Sequence, residues 1–456
     1  MASGSGISFG GLASGLDSQA IIQTLVNLER RPITLLQQQK TNFNRQIDLF
    51  GTFETRLNSL QTSLENLRDE DSFKKFNAST ERAAVVTASA SGNALGGVYD
   101  VSVKQLAQQT RLSSQGYADL ETTTVGSGTF QITVGDTTTD ITLDSGEDTL
   151  NDLKDAINSS DAEVRAEIVN VGGSEPYKLV ISANESGLDN AVTLDASGLS
   201  GGTQALSFTE IQSAQDAIFD LNGITDLQRS SNTLTDVIEG VTLNLFSVSE
   251  GNETDGYTAT TVTISLDRDA MAESARGFVN AYNDVARFFR DQGRFDADEA
   301  TSAPLFGDFT LRSIQSSLRS RFSEVFENDG SFNSLASLGF KTKSDGFLEF
   351  DSADYKDALE TDLGSVADLF QADGSIGDQL VDYLDTVTDT ADGLIKSRRD
   401  NIRRRIGALD DRIASNERRI ETYEASLTRQ YASLETLVSS LQVQGQSVGA
   451  IFGFGS

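Results

Sequence analysis

The sequence predicts an α+β multidomain protein, with a helical coiled-coil stem formed by both chain ends and a β-rich head of two domains inserted between them. Apolar residues recur at sevens near each end, which is the spacing of a coiled-coil seam. Between residues 77 and about 267, polar and apolar residues alternate and turn residues are frequent, as in strands and hairpins. Residues 77–393 hold 18 basic and 53 acidic side chains, a net charge of −35. This pattern predicts an acidic head between nearly neutral ends.

The first predicted element is a helix near the N-terminus. Asp17 is placed to cap it, because its carboxylate can accept a hydrogen bond from an amide of the first turn. Pro32 is expected to interrupt or restart this helix, since proline lacks the amide hydrogen and its ring crowds the preceding turn. A heptad seam follows, and its members are Leu36, Phe43, Phe50, Leu57 and Leu64, with Phe53, Leu60 and Leu67 three residues after the last three.

The last predicted element is a longer helix near the C-terminus, which carries the stronger seam. Its first heptad row is Ile406, Ile413, Ile420, Leu427, Leu434 and Leu441, and its second row includes Ile395, Ile402, Leu409, Tyr423 and Leu437. A single helix over 395–441 would be roughly 70 Å long. Two arginine runs, Arg403–Arg405 and Arg418–Arg419, lie between the seams. They are either a solvated helix face or a binding patch.

The middle of the chain is predicted to consist mostly of strands. Residues 99–103 alternate between apolar and polar, and Ser, Thr, Gly, Asn and Asp fill the stretches between such runs. One short amphipathic helix is expected after Thr149, which is its predicted cap. Helical periodicity returns after Leu266, and a further helix is predicted over Thr310–Phe326.

Both seams need a partner, and each end of the chain is the nearest candidate for the other. The alternative to assembly with other copies is a bundle within one chain. We expect four domains: a terminal helical leg domain that is flexible before assembly (1–40 with 431–456), a helical coiled-coil stem (41–76 with 268–430), a β-rich head domain (77–118 with 215–267) and a β-rich outer head domain (119–214).

The composition excludes several classes of protein. The chain has 456 residues, a net charge of −32, and no Cys, His or Trp. Disulfides, thiol nucleophiles, Ser-His-Asp triads and zinc, haem or iron–sulfur sites built on Cys and His are therefore excluded. We expect no catalytic residue, no cofactor and no metal. The acidic surplus also disfavours nucleic acid and anionic membrane surfaces.

Targeting signals are not apparent in the sequence. Since no run approaches 18 apolar residues, we expect no membrane insertion. The N-terminus lacks a basic region followed by an apolar run, so no cleaved secretory signal is expected.

Two acid- or glycine-rich motifs could suggest ligands. Gly10–Gly11 and Gly15 could belong to a phosphate loop, yet no strand precedes them and no Gly-Lys-Ser/Thr triplet follows. Asp296, Asp298 and Glu299 could bind calcium, but the Gly and the terminal Glu of an EF-hand loop are absent. We therefore expect no nucleotide binding at the glycines, and we interpret the acidic cluster as a solvated turn.

Carboxylate chemistry is the remaining enzymatic alternative. A glycoside hydrolase or lyase without His or Cys would need two carboxylates about 5–10 Å apart in a cleft. The pair Asp351 and Asp354 is interpreted as turn capping rather than general acid–base machinery.

Six groups of residues resemble one family. Five of them are Gly11–Asp17 followed by Leu25–Ile33; Gly97–Val103 with Leu106-Ala107; Asn232-Thr233 with Gly240–Leu243; Phe278–Asn283; and Leu338–Phe340 with Asp345–Leu348 and Asp351. The sixth is the segment from Gly128 to about Leu194, which is similar to the insert shared by flagellins and hook proteins. On these residues the chain resembles the bacterial flagellar filament cap family, also called hook-associated protein 2 or FliD.

The resemblance implies a structural role and no enzymatic activity. A cap of this family is a homo-oligomeric ring, a pentamer or hexamer, at the distal end of the filament outside the cell. It promotes ordered insertion and polymerisation of exported flagellin and prevents its loss. The implied partners are flagellin, hook-filament junction proteins and a flagellar export chaperone at the C-terminal region. Export by the flagellar type III system without a cleaved signal peptide is also implied.

Apolar residues near both termini are the expected assembly contacts. On a lone subunit they would be exposed, whereas burial in an assembly would stabilise them. These terminal legs comprise Leu12, Leu16, Ile21, Ile22, Leu25, Leu437, Leu441, Ile451 and Phe452.

A surface adhesin is the alternative function. The exposed acidic head would then bind host or environmental glycans, and this activity could coexist with capping.

Overall fold

The computed structural model describes residues 17–296, 301–326 and 330–452. The chain divides into two compact units. The helical unit comprises residues 1–70 and 272–456, and the β-rich unit comprises residues 71–271. Helical ends and a β-rich insert are therefore confirmed, whereas the division into four domains stays a prediction.

The helices are α1 (Ser18–Arg68), α2 (Leu150–Asn158), α3 (Arg268–Gly293), α4 (Phe309–Phe322), α5 (Ser352–Thr361), α6 (Leu363–Gln371), α7 (Ile376–Thr388) and α8 (Leu394–Phe452). Within the described ranges, none of these helices has the length and apolarity that crossing a membrane requires.

The strands are β1 (Phe76–Thr80), β2 (Val86–Ala90), β3 (Gly97–Gln105), β4 (Arg111–Ser114), β5 (Ser127–Val134), β6 (Thr137–Leu143), β7 (Val164–Asn170), β8 (Tyr177–Ala183), β9 (Val192–Ser200), β10 (Phe208–Gln212), β11 (Ala217–Leu221), β12 (Ile224–Arg229), β13 (Thr233–Ile238), β14 (Val241–Leu245), β15 (Gly251–Asn252), β16 (Gly256–Tyr257), β17 (Thr260–Leu266), β18 (Phe295–Asp296), β19 (Thr301–Ser302), β20 (Phe340–Thr342) and β21 (Leu348–Phe350).

The start of α1 follows the sequence prediction. The Asp17 carboxylate accepts a hydrogen bond from the amide of Ala20 at 2.9 Å, as expected of an N-cap. From there α1 continues for 51 residues, or roughly 76 Å.

The expected interruption at Pro32 is wrong, because α1 passes through Pro32 without a break. Proline removes one hydrogen bond, the one to the carbonyl of Leu28. Pro32 is exposed and the Leu28 side chain is 52% exposed, so this carbonyl lies on the solvent side, where water can bind it. On the other side, Ile33 is buried against another helix, and this packing holds the two halves in line.

The C-terminal helix is longer than predicted, since α8 spans 59 residues and includes the whole of 395–441. The helix predicted over Thr310–Phe326 ends earlier, at Phe322. The Phe326 amide donates to the carbonyl of Asn333 at 2.8 Å instead of continuing the helix. The backbone therefore leaves the helical path to make this longer-range hydrogen bond.

The β-rich unit contains two hydrophobic cores. One lies between the five-stranded sheet β1-β17-β3-β11-β12 and the three-stranded sheet β13-β14-β2. The other lies between the four-stranded sheet β10-β4-β8-β7 and the three-stranded sheet β6-β5-β9, with α2 beside them. The strand pairs in these sheets are antiparallel.

The predicted short helix α2 starts as expected. The Thr149 hydroxyl accepts from the Asp152 amide at 3.2 Å, and the Asp152 carboxylate accepts from the Thr149 amide at 3.0 Å. This reciprocal pair is a capping box. The helix buries Leu150, Leu153 and Ile157 completely.

The head is acidic, as predicted, but it does not carry the whole net charge of −35 that residues 77–393 hold. The β-rich unit holds 30 acidic and 10 basic side chains, a net of −20. The helical unit holds 38 acidic and 26 basic side chains, a net of −12. Most of the remaining negative charge lies in residues 272–393, which hold 24 acidic and 10 basic side chains and belong to the helical unit.

The joint between α7 and α8 is held by Asp389. Its carboxylate accepts from the backbone amides of Asp392 at 2.6 Å and Ala391 at 2.8 Å. These two hydrogen bonds favour the charged form and lower the pKa of Asp389 below its ordinary value of 3.8. Asp389 also ends α7, so this turn sets where α8 begins.

Asp389→Asn is expected to destabilise the helical unit at neutral pH, because a neutral acceptor replaces a charged one. Since the folded pKa is depressed, the stabilisation is complete above the unfolded pKa and is lost as pH falls through the folded pKa. Urea unfolding midpoints at neutral and acidic pH measure this, and the gap between wild type and variant should close in acid. Asp392→Asn is the matched control. A gap that persists or widens in acid would contradict the assignment.

Candidate assembly surface

The two long helices of the helical unit pack side by side in opposite directions. Polar contacts join them along their length, and residue numbers rise on α8 as they fall on α1. These contacts are Glu54–Arg399 at 2.7 Å, Lys40–Asp410 at 2.6 Å, Glu29–Arg419 at 3.3 Å and the Ser18 hydroxyl donating to the Glu435 carboxylate at 3.3 Å. The order of partners shows an antiparallel pair.

Apolar residues fill the contact between the far ends of these helices. Ile420 of α8 is buried with Val26 and Ile33 of α1, and Ile22 and Ile413 pack against them. The structure thus brings together a residue predicted as a terminal leg, Ile22, and two residues of the predicted C-terminal seam. Ile21 and Leu25, also predicted leg residues, are half-buried.

The other half of α1 has different partners. The Phe53 ring stacks on Phe288 of α3, with ring centroids 4.9 Å apart, and meets Phe289 edge-on at 5.2 Å. Gln61 donates to Asp385 at 2.7 Å, and the Arg68 guanidinium lies 2.7 Å from the Asp378 carboxylate. Since Asp385 and Asp378 lie on α7, that helix contacts α1 beyond the point where α8 begins.

Part of the α1 seam therefore has α7 as its partner, in addition to the predicted partner α8. With α8 starting at Leu394 and Arg399 opposite Glu54, α8 cannot reach the last turns of α1. The fully buried residues Leu64 and Leu67 instead lie in the part of α1 where Gln61 and Arg68 contact α7.

The burial of the predicted seam residues agrees with these contacts of α1 with α7 and α8. Buried members include Leu36, Phe50, Phe53, Leu60, Ile395, Ile402, Leu409 and Leu427, whereas Phe43 and Ile406 are half-buried. The Arg405 guanidinium lies over the Phe43 ring at 4.3 Å, a cation–π contact that covers this half-buried ring.

The face of α8 that α1 covers continues uncovered toward its C-terminus. Ile420 and Leu427 are 3% and 7% exposed, but Leu434, Leu437 and Leu441, on the same face, are 42%, 59% and 56% exposed. We name these three leucines the distal stripe. Among the residues that the structure describes, these leucines form an apolar row along one face of this end of α8.

The burial of the remaining predicted leg residues is not described. Leu12 and Leu16 lie outside the described residues, and Ile451 and Phe452 fall in the last turn of α8.

The arginine runs make contacts within the chain. Arg419 pairs with Glu29, Arg405 covers Phe43, and Arg403 lies 2.7 Å from Asp400. Hydrogen bonds from Lys396 and Arg403 lower the pKa of Asp400. These contacts favour a solvated, ion-paired helix face over a separate binding patch.

The other predicted motifs have structural roles or lie outside the described residues. Asp351 caps α5 and accepts from the amides of Ala353 at 3.1 Å and Asp354 at 3.3 Å, which confirms capping. Asp354 itself binds Lys341 at 3.0 Å, so only Asp351 caps the turn.

The acidic turn predicted at Asp296, Asp298 and Glu299 cannot be described as a whole, because Asp298 and Glu299 lie outside the described residues. Across residues 17–296, 301–326 and 330–452, no group of three or more Asp or Glu is arranged to hold a metal ion.

Sequence reasoning missed the charged residues that align the helices. Glu54 and Arg399 are 19% and 27% exposed, the least exposed of the α1–α8 ion pairs. Opposite charges flanking two heptad seams are the signal that could have identified such pairs. Phe288 was also missed, since the helical period alone marks Phe289.

Comparison with known proteins identifies the family that has this architecture. The family model described as "Flagellar hook-associated protein 2 C-terminus" matches residues 214–443, its N-terminal counterpart matches 14–110, and "Flagellin hook IN motif" matches 129–185. These matches define a flagellar hook-associated protein. The chain belongs to the flagellar hook-associated protein 2 family.

Individual relatives agree along nearly the whole chain. Flagellar hook-associated protein 2 of Escherichia coli K12 is 30% identical, over 94% of this chain and 95% of the relative. The B-type protein of Pseudomonas aeruginosa is 28% identical, over 97% and 96%. The crystal structure of the E. coli flagellar cap protein FliD, domains D1-D2-D3, is similar with a TM-score of 0.63 and 31% identity, covering 78% of this chain and 99% of that one.

Ile420→Asp should separate the far ends of α1 and α8, because it places an unpaired charge among Val26 and Ile33. Hydrogen exchange of α1 amides near Val26 should accelerate, while amides near Phe53 keep their protection. Ala425→Asp, at an exposed position on the same helix, is the control. Unchanged exchange near Val26 would contradict the helix pairing.

Proposed function

We propose that this chain caps the distal end of the bacterial flagellar filament. As a homo-oligomer it promotes ordered insertion and polymerisation of exported flagellin and prevents its loss. The observation that supports this most strongly is the match to the E. coli flagellar cap protein structure, 99% of which this chain covers. The function is structural, and no catalytic residue is assigned.

The assembly contacts are the terminal legs. The distal stripe is apolar area that the described part of one subunit leaves exposed, and its burial against another subunit or the filament end is worth about 25 cal/mol per Å². Each leg therefore makes an apolar contact that the exclusion of water stabilises. Because a modest number of side chains take part, this contact can also dissociate. A cap that must shift as each flagellin is added needs such a reversible contact.

The division of labour follows the four predicted domains. Residues 1–40 with 431–456 form the legs, and residues 41–76 with 268–430 form a coiled-coil stem. The remaining two are β-rich head domains, 77–118 with 215–267 and 119–214. The two hydrophobic cores of the β-rich unit support two head domains.

The partners of the cap are itself, as a pentamer or hexamer, flagellin and hook-filament junction proteins. A flagellar export chaperone binds the C-terminal region, where the distal stripe would otherwise be exposed before assembly. Export through the flagellar type III system without signal cleavage places the protein outside the cell at the filament tip.

The adhesin hypothesis gains no support. The matched families and relatives are named for the flagellar hook and cap. Binding of glycans by the acidic β-rich unit has no specific contact in its favour.

Deletion of the gene is expected to give short or absent filaments and flagellin monomer in the medium. Complementation with the double variant Leu437→Asp and Leu441→Asp should fail, because two charges replace the apolar distal stripe. The matched control, Ser439→Asp with Gln446→Asp, adds the same charge on the opposite face and should restore filaments. Filament length by electron microscopy and flagellin in the supernatant are measured. Normal filaments in the deletion strain would refute the cap function, and full rescue by the leucine variant would refute the role of the stripe.

Self-association should strengthen with salt. Each β-rich unit carries a net charge of −20, so copies repel one another, and ions screen that repulsion within about 10 Å at 0.1 M salt. Sedimentation velocity of the purified full chain at low and high sodium chloride measures the effect. Dissociation of the oligomer by added salt would indicate that ion pairs, rather than apolar contacts, hold it together.

A further inference from the structure

One core of the β-rich unit is closed on one side by a helix. The sheets β6-β5-β9 and β10-β4-β8-β7 enclose it, and α2 contacts both β6 and β7, the edge strands on that side. Leu150, Leu153 and Ile157 of α2 are fully buried there. An apolar element therefore fills the gap between the two sheets at this edge.

The opposite pair of edge strands, β9 and β10, borders a groove of about 500 Å³. Its apolar walls are half-buried side chains, namely Leu112, Leu194, Ala196, Leu206 and Phe208. At one end of the groove, the Thr110 hydroxyl accepts a hydrogen bond from the Val192 amide at 3.1 Å. Among the described residues that line the groove, Glu210 is the charged one.

The backbone of β9 presents hydrogen-bonding groups toward this groove. The Ala191 carbonyl accepts from the Gly135 amide beside β5 at 3.0 Å, so Ala191 faces β5. Residues alternate in an antiparallel ladder, and Val192 and Leu194 therefore face away from β5. The Val192 bond to Thr110 agrees with this direction. In the part of the chain that the structure describes, no strand pairs with β9 on that side.

The backbone of β10 has the same arrangement. The Ser207 carbonyl accepts from the Gln115 amide at 3.3 Å, so Ser207 faces β4. By alternation, Phe208 and Glu210 turn their peptide groups away from β4. Two strand edges thus border one apolar groove, and an unpaired edge is a template for an added strand.

We propose that this groove binds an extended peptide segment of a partner protein, which adds a strand to β9 or β10. Main-chain hydrogen bonds to an open edge give affinity for any extended chain, and side-chain pockets select alternate residues. The half-buried leucines and Phe208 select small apolar side chains at alternate positions. Glu210 and the net charge of −20 select a Lys or Arg at one end. The site does not depend on the proposed cap function.

The probe is a fluorescein-labelled heptapeptide of alternating threonine and valine that ends in lysine, titrated with the full-length chain. Fluorescence anisotropy should show saturable binding. A peptide with methylated amides along one edge keeps its side chains but loses the main-chain donors, and it should bind about tenfold more weakly. Equal binding of both peptides would overturn strand addition.

Leu194→Lys should weaken binding of the probe by about tenfold, because it fills the groove with a charged chain. Thr142→Lys adds the same charge at an exposed position of β6, outside the residues that line the groove, and should bind as wild type does. Equal effects of the two variants, or no saturable binding by wild type, would overturn the site.

Glu210→Lys keeps the test decisive if Leu194→Lys fails to fold, since Glu210 is exposed. It should weaken the lysine-ended peptide and strengthen a glutamate-ended one. An unchanged preference would overturn the assigned role of Glu210, and unchanged circular dichroism confirms that each variant is folded.

Discussion

The helical unit depends on the antiparallel packing of α1 against α7 and α8. One 51-residue helix provides a continuous surface, and two consecutive helices share it. Ion pairs such as Glu54–Arg399 and apolar contacts such as Ile420 with Val26 hold the same register. Surface ion pairs are worth at most about 1 kcal/mol each, so the buried apolar residues supply most of the stability and the charges select the alignment.

Because of that register, the C-terminal end of α8 extends beyond the N-terminal end of α1. Ser18 of α1 lies opposite Glu435, and α8 extends a further 17 residues to Phe452, or roughly 25 Å. The distal stripe begins where the described part of α1 stops covering α8. The same packing that stabilises the subunit therefore also defines the surface that is available for assembly.

Local features of the fold could be predicted from the sequence, whereas its pairings could not. The caps Asp17 and Thr149 and the run of α8 were evident, because capping and heptad periodicity depend on neighbours within a few residues. The continuity of α1 through Pro32, the contact of α1 with α7 and the end of α4 depend on distant residues. The open edges of β9 and β10 likewise depend on which strands meet, a property of the whole chain. Of the candidate site, the apolar face of α8 was predictable, but its division into covered and exposed parts was not.

The span of the α1–α8 contacts has a consequence for the order of folding. Ser18 and Glu435 are separated by 417 positions, so the helix pair cannot close until nearly the whole chain is available. The β-rich unit needs only residues 71–271. Non-local contacts form late, because the entropy of closing a long loop must be overcome first. A chain that emerges gradually, from a ribosome or through a narrow passage, would thus complete its β-rich unit first and its helix pair last.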